Sequence, residues 1–246
     1  MSGIAIITGA GSGIGREVAI KLSHDGMTVY VVGRTKETLE ETASLCKNKV
    51  LVYPLDVKDD HAVKRFYEEV ESRYKRLDIL FNNAGVVMQP KTIDQISYEE
   101  WKYVTDVNIN GMFLSAKYAF KLMKCQEPIG GRIINNGSMS SITPRPASLA
   151  YTCAKHAVLG MTKSIALDGR AFRILCSQID IGNADTPMVS KLKEGVMQAY
   201  GVIEKEPLFH PKYVAEAVSL ISKMPLDTNV LNMTIMANNM PFVVRG

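Results

Sequence analysis

The segment Thr8-Gly9-Ala10-Gly11-Ser12-Gly13-Ile14-Gly15 restricts the fold of this 246-residue chain more than any other stretch. It follows a short apolar run at residues 3–8 (GIAIIT). It precedes residues 13–25, where Ile14, Val18, Ile20 and Leu22 recur at helical spacing. Strand, glycine turn and helix in that order form a site where a dinucleotide pyrophosphate can lie. Glycines let the turn be tight, let backbone N–H groups approach phosphates and let the helix pack closely, while the helix amino end favours negative charge. A glycine-rich turn can also do no more than join a strand to a helix, so this turn alone leaves function open.

The rest of the chain repeats the alternation. Apolar, β-branched runs at residues 27–32, 50–55, 77–81, 132–135, 174–179 and 230–237 read as strands. Helical patterns separate them, including a long stretch over 98–124 and another over 150–167. Roughly seven strands alternating with helices predict an α/β fold, a Rossmann-like doubly wound parallel sheet with helices on both faces. Its ligand site belongs at the carboxyl ends of the strands. With no linker or internal repeat, residues 1–246 read as a single domain.

Composition narrows the function. Hydrophobic residues at 46% and charged residues at 22% fit a globular protein. The net charge is +4 and the basic residues are dispersed, which argues against a nucleic-acid partner. No run reaches the roughly 18 apolar residues of a membrane span, and the amino terminus lacks a signal-peptide pattern. Cys46, Cys125, Cys153 and Cys176 stand far apart with no CxxC pair, so they read as reduced thiols in a cytoplasmic protein that binds no metal. The methionines near the carboxyl end, Met233, Met236 and Met240, read as core and subunit contact.

Two local patterns carry chemistry. Tyr151 and Lys155 in YTCAK share one helix face, and a nearby ammonium favours phenolate, lowering the tyrosine pKa toward the range where proton exchange is feasible. Tyr and Lys four apart are common, so the pair needs company. His156 lies about 100° round the helix from Lys155 and reads as structural or solvent-facing. The second pattern ends the second strand: an NAD site usually places Asp or Glu there, whereas this chain has Val32-Gly33-Arg34-Thr35-Lys36. Arg34 suits a 2′-phosphate, so NADP(H) is expected over NAD(H), with NAD(H) possible. Ser12 leaves the glycine turn without a cation to add to Arg34, which weighs against a strict preference.

Together these features resemble the short-chain dehydrogenase/reductase family over nearly the whole chain. The glycine turn is GxxxGxG after a Thr, and Asn82-Asn83-Ala84-Gly85 follows the fourth strand. Asp56-Val57 ends the third strand, Asn108 stands in DVNINGMF, and Ser138 precedes Tyr151 by thirteen residues in the YxxxK form. The resemblance implies that Ser138 hydrogen-bonds the substrate oxygen and that Tyr151 exchanges the hydroxyl proton. Lys155 would hold the nicotinamide ribose and tune Tyr151, and Asn108 would position a water. It implies cofactor contacts from Gly9, Gly11, Ser12, Gly13, Ile14 and Gly15 at the pyrophosphate, and from Asp56, Val57, Asn83, Ala84 and Gly85 around the adenosine. Ala184 and Thr186 would meet the nicotinamide.

The chain departs from the family in having Ile181 where a Pro usually precedes Gly182, and in its ending, ANNMPFVVRG. Residues 186–211 should form a lid, with Met188, Val189, Leu192, Val196 and Met197 at helical spacings either lining a largely apolar pocket or packing the lid down. The activity implied is hydride transfer between a ketone or aldehyde and an alcohol, in a homotetramer or dimer. A dinucleotide-sensing regulator on the same fold is the alternative, and epimerase or dehydratase chemistry a third.

Overall fold

The computed structural model describes residues 3–189 and 194–242. The chain opens with β1 (Ile4–Thr8), α1 (Gly13–His24), β2 (Thr28–Gly33), α2 (Lys36–Ser44) and β3 (Val50–Pro54). It continues with α3 (Asp60–Tyr74), β4 (Ile79–Asn82), α4 (Tyr98–Thr105), α5 (Met112–Cys125) and β5 (Gly131–Asn136). Then come α6 (Leu149–Asp168), β6 (Ile174–Ile181), β7 (Val196–Met197), β8 (Ile203–Glu204), α7 (Lys212–Lys223) and β9 (Asn232–Ile235).

Seven strands form one parallel sheet in the order β3-β2-β1-β4-β5-β6-β9. The order reverses between β1 and β4, which opens a crevice at their carboxyl ends. Alternate strand residues feed two cores. Ile7, Val31, Phe81 and Ile179 pack with Leu22 of α1 and Val218 of α7. On the other face Ile6, Tyr30, Leu80 and Ile133 pack with Phe66 of α3 and Met123 of α5. The inner strands β2, β1, β4, β5 and β6 are buried on both faces, so they read as continuous apolar runs rather than alternating ones, while the edge strands β3 and β9 are partly exposed.

Three local differences from the sequence expectations have physical causes. The helical stretch over 98–124 is α4 and α5 joined by one wide π turn, Asp106–Gly111, which carries Asn108. β6 runs on through Ile181, in register with Ile235, and Gly182 N–H donates to the Ile235 carbonyl at 2.8 Å. A proline at 181 would bring no N–H to that strand end. Within residues 186–211, Val196 and Met197 pair antiparallel with Glu204 and Ile203, although their spacing suits a helix. Gly201 turns the hairpin at φ +84°. Leu192 lies outside the described residues. Met240 packs on Met139 and Ala237, with Met236 and Phe209 against them, so Met236 and Met240 join a small core cluster.

Helices α1 and α7 are tied by Asp25. Its carboxylate meets Lys21 Nζ at 2.7 Å and Lys223 Nζ at 2.9 Å and accepts from the Ser219 hydroxyl. Burial pushes its pKa up, but these three donors outweigh it and hold the value at about 2. A depressed carboxylate stabilises the fold above its unfolded pKa of roughly 4 and loses that effect as pH falls through the folded value. Asp25→Asn should therefore cost about 2 kcal/mol at pH 7. Thermal unfolding against pH should show the gap to the parent closing between about pH 4 and pH 2. A gap that persists at pH 2 would contradict this account.

Among the described residues no helix is long and apolar enough to cross a membrane, and no cluster of His, Cys, Asp or Glu could hold a metal.

Candidate active site

The crevice at the strand ends is a cleft of about 410 Å³. The glycine turn forms one side. Gly9 has φ +65°, and a Cβ there would lie 2.9 Å from Ala84 Cα. Gly15 does not line the cleft. A Cβ on it would lie 2.3 Å from the Gly9 carbonyl, so its part is to let α1 press against the turn. Thr8 and Asn83 lock the two strand exits together. Asn83 and Ala84 N–H donate to Thr8 Oγ1 at 2.9 and 3.0 Å, and Asn83 Nδ2 donates to the Thr8 carbonyl at 2.9 Å. Ser12 caps α1 without a side-chain bond to the helix, and the first turn carries no acidic residue, so the positive helix end is open to an anion.

Gly9, Gly11, Ser12, Gly13 and Ile14 line the cleft, as do Asp56, Val57, Asn83, Ala84 and Gly85. Ala184 and Thr186 also line it, with the Thr186 side chain beside Gly13. Asp56 and Val57 lie just past β3 rather than within it. At the end of β2, Arg34 is exposed at the cleft edge and has no ion-pair partner among the described residues, while Lys36 meets Glu40 at 3.4 Å. The cradle thus fits an extended dinucleotide, with backbone N–H groups and a helix end for its pyrophosphate and a guanidinium at its adenosine end.

Tyr151 and Lys155 enter the opposite wall from α6. Lys155 is 5% exposed, and its Nζ lies 5.5 Å from the Tyr151 ring centre. Nζ donates to the Asn136 carbonyl at 2.7 Å, and Asn136 Nδ2 donates to Asn83 Oδ1 at 2.7 Å. Asn136 therefore links the wall of Tyr151 and Lys155 to the glycine turn through Asn83, a connection that local spacing did not reveal. His156 is exposed, with Nδ1 2.9 Å from the Thr152 carbonyl, away from this wall.

Ser138 follows β5 in an extended conformation and is 8% exposed. Its Oγ accepts from Ser140 N–H at 3.1 Å, so Ser140 orients Ser138 rather than competing with it. Asn108 is 1% exposed and brackets Val86, accepting from its N–H and donating to its carbonyl, both at 2.8 Å.

Sequence reasoning also missed a buried polar cluster around Glu206. Glu206 accepts from Arg145, from Asn183 Nδ2 at 2.7 Å and from Gln198 Nε2 at 2.9 Å. Arg145 also donates to Asn183 Oδ1 at 3.0 Å. Burial pushes the Glu206 carboxyl up, but these donors outweigh it and hold it below its ordinary value. The cluster ties Gln198 and Glu206 to the α6 approach and to the exit of β6.

Known proteins match this architecture. The short chain dehydrogenase family model matches residues 3–196. A 3beta-hydroxysteroid dehydrogenase of Mediterraneibacter gnavus is 36% identical over 195 residues, covering 76% of this chain and 68% of the relative. A point variant of actinorhodin polyketide ketoreductase, solved with NADPH, superposes with a TM-score of 0.86 at 26% identity, covering 96% of each chain. A 3-ketoacyl-(acyl-carrier-protein) reductase from Brucella melitensis complexed with NADH shares the fold, with a TM-score of 0.84 at 24% identity over 95% of this chain and 96% of that one.

Proposed function

The chain belongs to the short-chain dehydrogenase family of oxidoreductases, and from that premise we propose that it interconverts a ketone or aldehyde and an alcohol, preferring NADP(H) to NAD(H). The observation that carries the reading is Tyr151 and Lys155 side by side on the wall of a dinucleotide-shaped cleft, with Ser138 just beyond Asn136 and Gly137. When bound, the dinucleotide supplies or takes the hydride.

The chain's own residues handle the oxygen and its proton. Because Ser140 N–H occupies a lone pair of Ser138 Oγ, the Ser138 hydroxyl proton is available to the substrate oxygen. Tyr151 Oη exchanges a proton with that oxygen, and the Lys155 ammonium favours the phenolate left behind. Asn136 holds Lys155 in place, and Asn108 fixes the wide turn beside the site, where a water would join Lys155 to solvent. Val86, Ile181, Met188 and Val189 give the wall an apolar character. With a hydroxysteroid dehydrogenase among the relatives, we take a largely apolar ketone or secondary alcohol as the substrate and 3-ketosteroids as the first to try.

In this reading residues 1–246 work as one unit with 186–211 as the lid, in the cytoplasm. They assemble as a homotetramer or dimer through exposed Phe113 on α5, Leu167 on α6 and Leu220 on α7.

The cofactor preference rests on Arg34. A charge-assisted bond to a 2′-phosphate contributes about 1.5–3 kcal/mol, so Arg34→Ala should weaken NADPH by roughly 10- to 100-fold and NADH by less than about threefold. Fluorescence titration of both cofactors against parent and variant checks this. Equal affinity of the parent for both, or equal loss in the variant, would sink the assignment.

A further inference from the structure

A buried carboxylate that the reaction does not use stands behind Ser138. Asp180 lies on β6 between Ile179 and Ile181, which pack into one core face, and is itself 1% exposed. Its Oδ1 accepts from Ser138 N–H at 3.0 Å and from Gln178 Nε2 at 2.7 Å, and its Oδ2 accepts from Asn232 Nδ2 at 2.7 Å. These donors are neutral, so the carboxylate is held by N–H groups in the interior, where an unsatisfied charge would be costly. Room for the contact comes from Gly137, since a Cβ there would lie 2.3 Å from Asp180 Oδ1.

The carboxylate is fixed from several directions. Gln178 Oε1 accepts from Thr162 Oγ1 at 3.1 Å, and Thr162 sits on α6, the helix of Tyr151 and Lys155. Asn135 of β5 donates to the same hydroxyl at 2.9 Å. One carboxylate is therefore keyed at once to the helix of the proton donor and to the strand that delivers Ser138. Charge-assisted N–H···O⁻ bonds are stronger than neutral ones, so this contact sets where the Ser138 backbone, and with it Oγ, comes to rest.

We propose that Asp180 is a positioning residue for Ser138, acting through its backbone N–H. The proposal rests on Ser138 binding the substrate oxygen. Misplacing such a group by about 1 Å can cost on the order of 10²-fold.

The test compares Asp180→Ala, Asp180→Asn, Ser138→Ala and the Ser138→Ala/Asp180→Ala double variant, using the ketone of fastest turnover in a panel that includes 3-ketosteroids. Asp180→Ala should lower kcat by about 10²-fold, with NADPH affinity within about twofold of the parent. Asp180→Asn, whose amide oxygen can still accept from Ser138 N–H, should recover most of the loss. The double variant should be no slower than Ser138→Ala, because both remove one function. Full kcat in Asp180→Ala, or losses that multiply in the double variant, would overturn the proposal. Parent-like kcat in Ser138→Ala would instead remove the role given to Ser138.

A second arm needs no substrate. Amide hydrogen exchange at Ser138 should quicken at least about tenfold in Asp180→Ala and stay slow in Asp180→Asn. Unchanged exchange in a folded Asp180→Ala would show that the contact does not hold the amide. Asp180→Ser is read in the same way if the alanine variant does not fold.

Discussion

Tyr151→Phe should turn over substrate about 10³-fold more slowly than the parent, within the usual range for loss of a positioned acid–base group. The substitution removes only Oη. The half-buried ring keeps its place on α6 beside Lys155 Nζ, and the bond from Lys155 to the Asn136 carbonyl is untouched. Dinucleotide affinity and thermal stability should therefore stay close to the parent's. Single-turnover rates measured beside cofactor titrations separate the two effects. A variant that kept most of its rate would show that another group carries the proton.

The second large effect should come from one methyl group. In Gly15→Ala the new Cβ would meet the Gly9 carbonyl at 2.3 Å and Asn83 Nδ2 at 2.7 Å. The first of these atoms is backbone, so α1 must move off the turn. Such overpacking costs about 1–3 kcal/mol of stability. The same shift displaces the N–H groups that would meet the pyrophosphate. Losing two charge-assisted bonds of about 1.5 kcal/mol or more each weakens the dinucleotide by more than about 10²-fold. Calorimetric melting and cofactor titration read the two losses independently. Parent-like affinity in the variant would mean that the turn is not the phosphate cradle.

What the sequence made legible follows the range over which each signal acts. The glycine turn, the strand alternation and the Tyr151–Lys155 pair are local patterns. All three stand in the structure where strand and helix periodicity put them. Asp180 and Arg145 escaped notice because their partners are distant in sequence. Asp180 meets Ser138 only through the β5–β6 pairing, and Arg145 meets Glu206 across 61 residues. The helical spacing of Val196 and Met197 misleads because these two residues also suit a hairpin when Gly201 can adopt positive φ and Gln198 N–H can reach the Val202 carbonyl at 2.8 Å. The motif marks Asn108, but its bracket on Val86 depends on the π turn, which periodicity alone does not show. Gly15 belongs to the glycine motif but does not line the cleft; its lack of a Cβ permits the close approach of α1 to the Gly9 carbonyl.

The most direct test of the central claim is the oxidation of NADPH, followed by its absorbance, in the presence of purified protein and a panel of apolar ketones and aldehydes that includes 3-ketosteroids. The account predicts substrate-dependent loss of NADPH with an equal amount of alcohol formed, faster than with NADH at the same concentration. Tight NADPH binding with no alcohol formed from any carbonyl, and no ketone formed from the matching alcohols with NADP⁺, would contradict it.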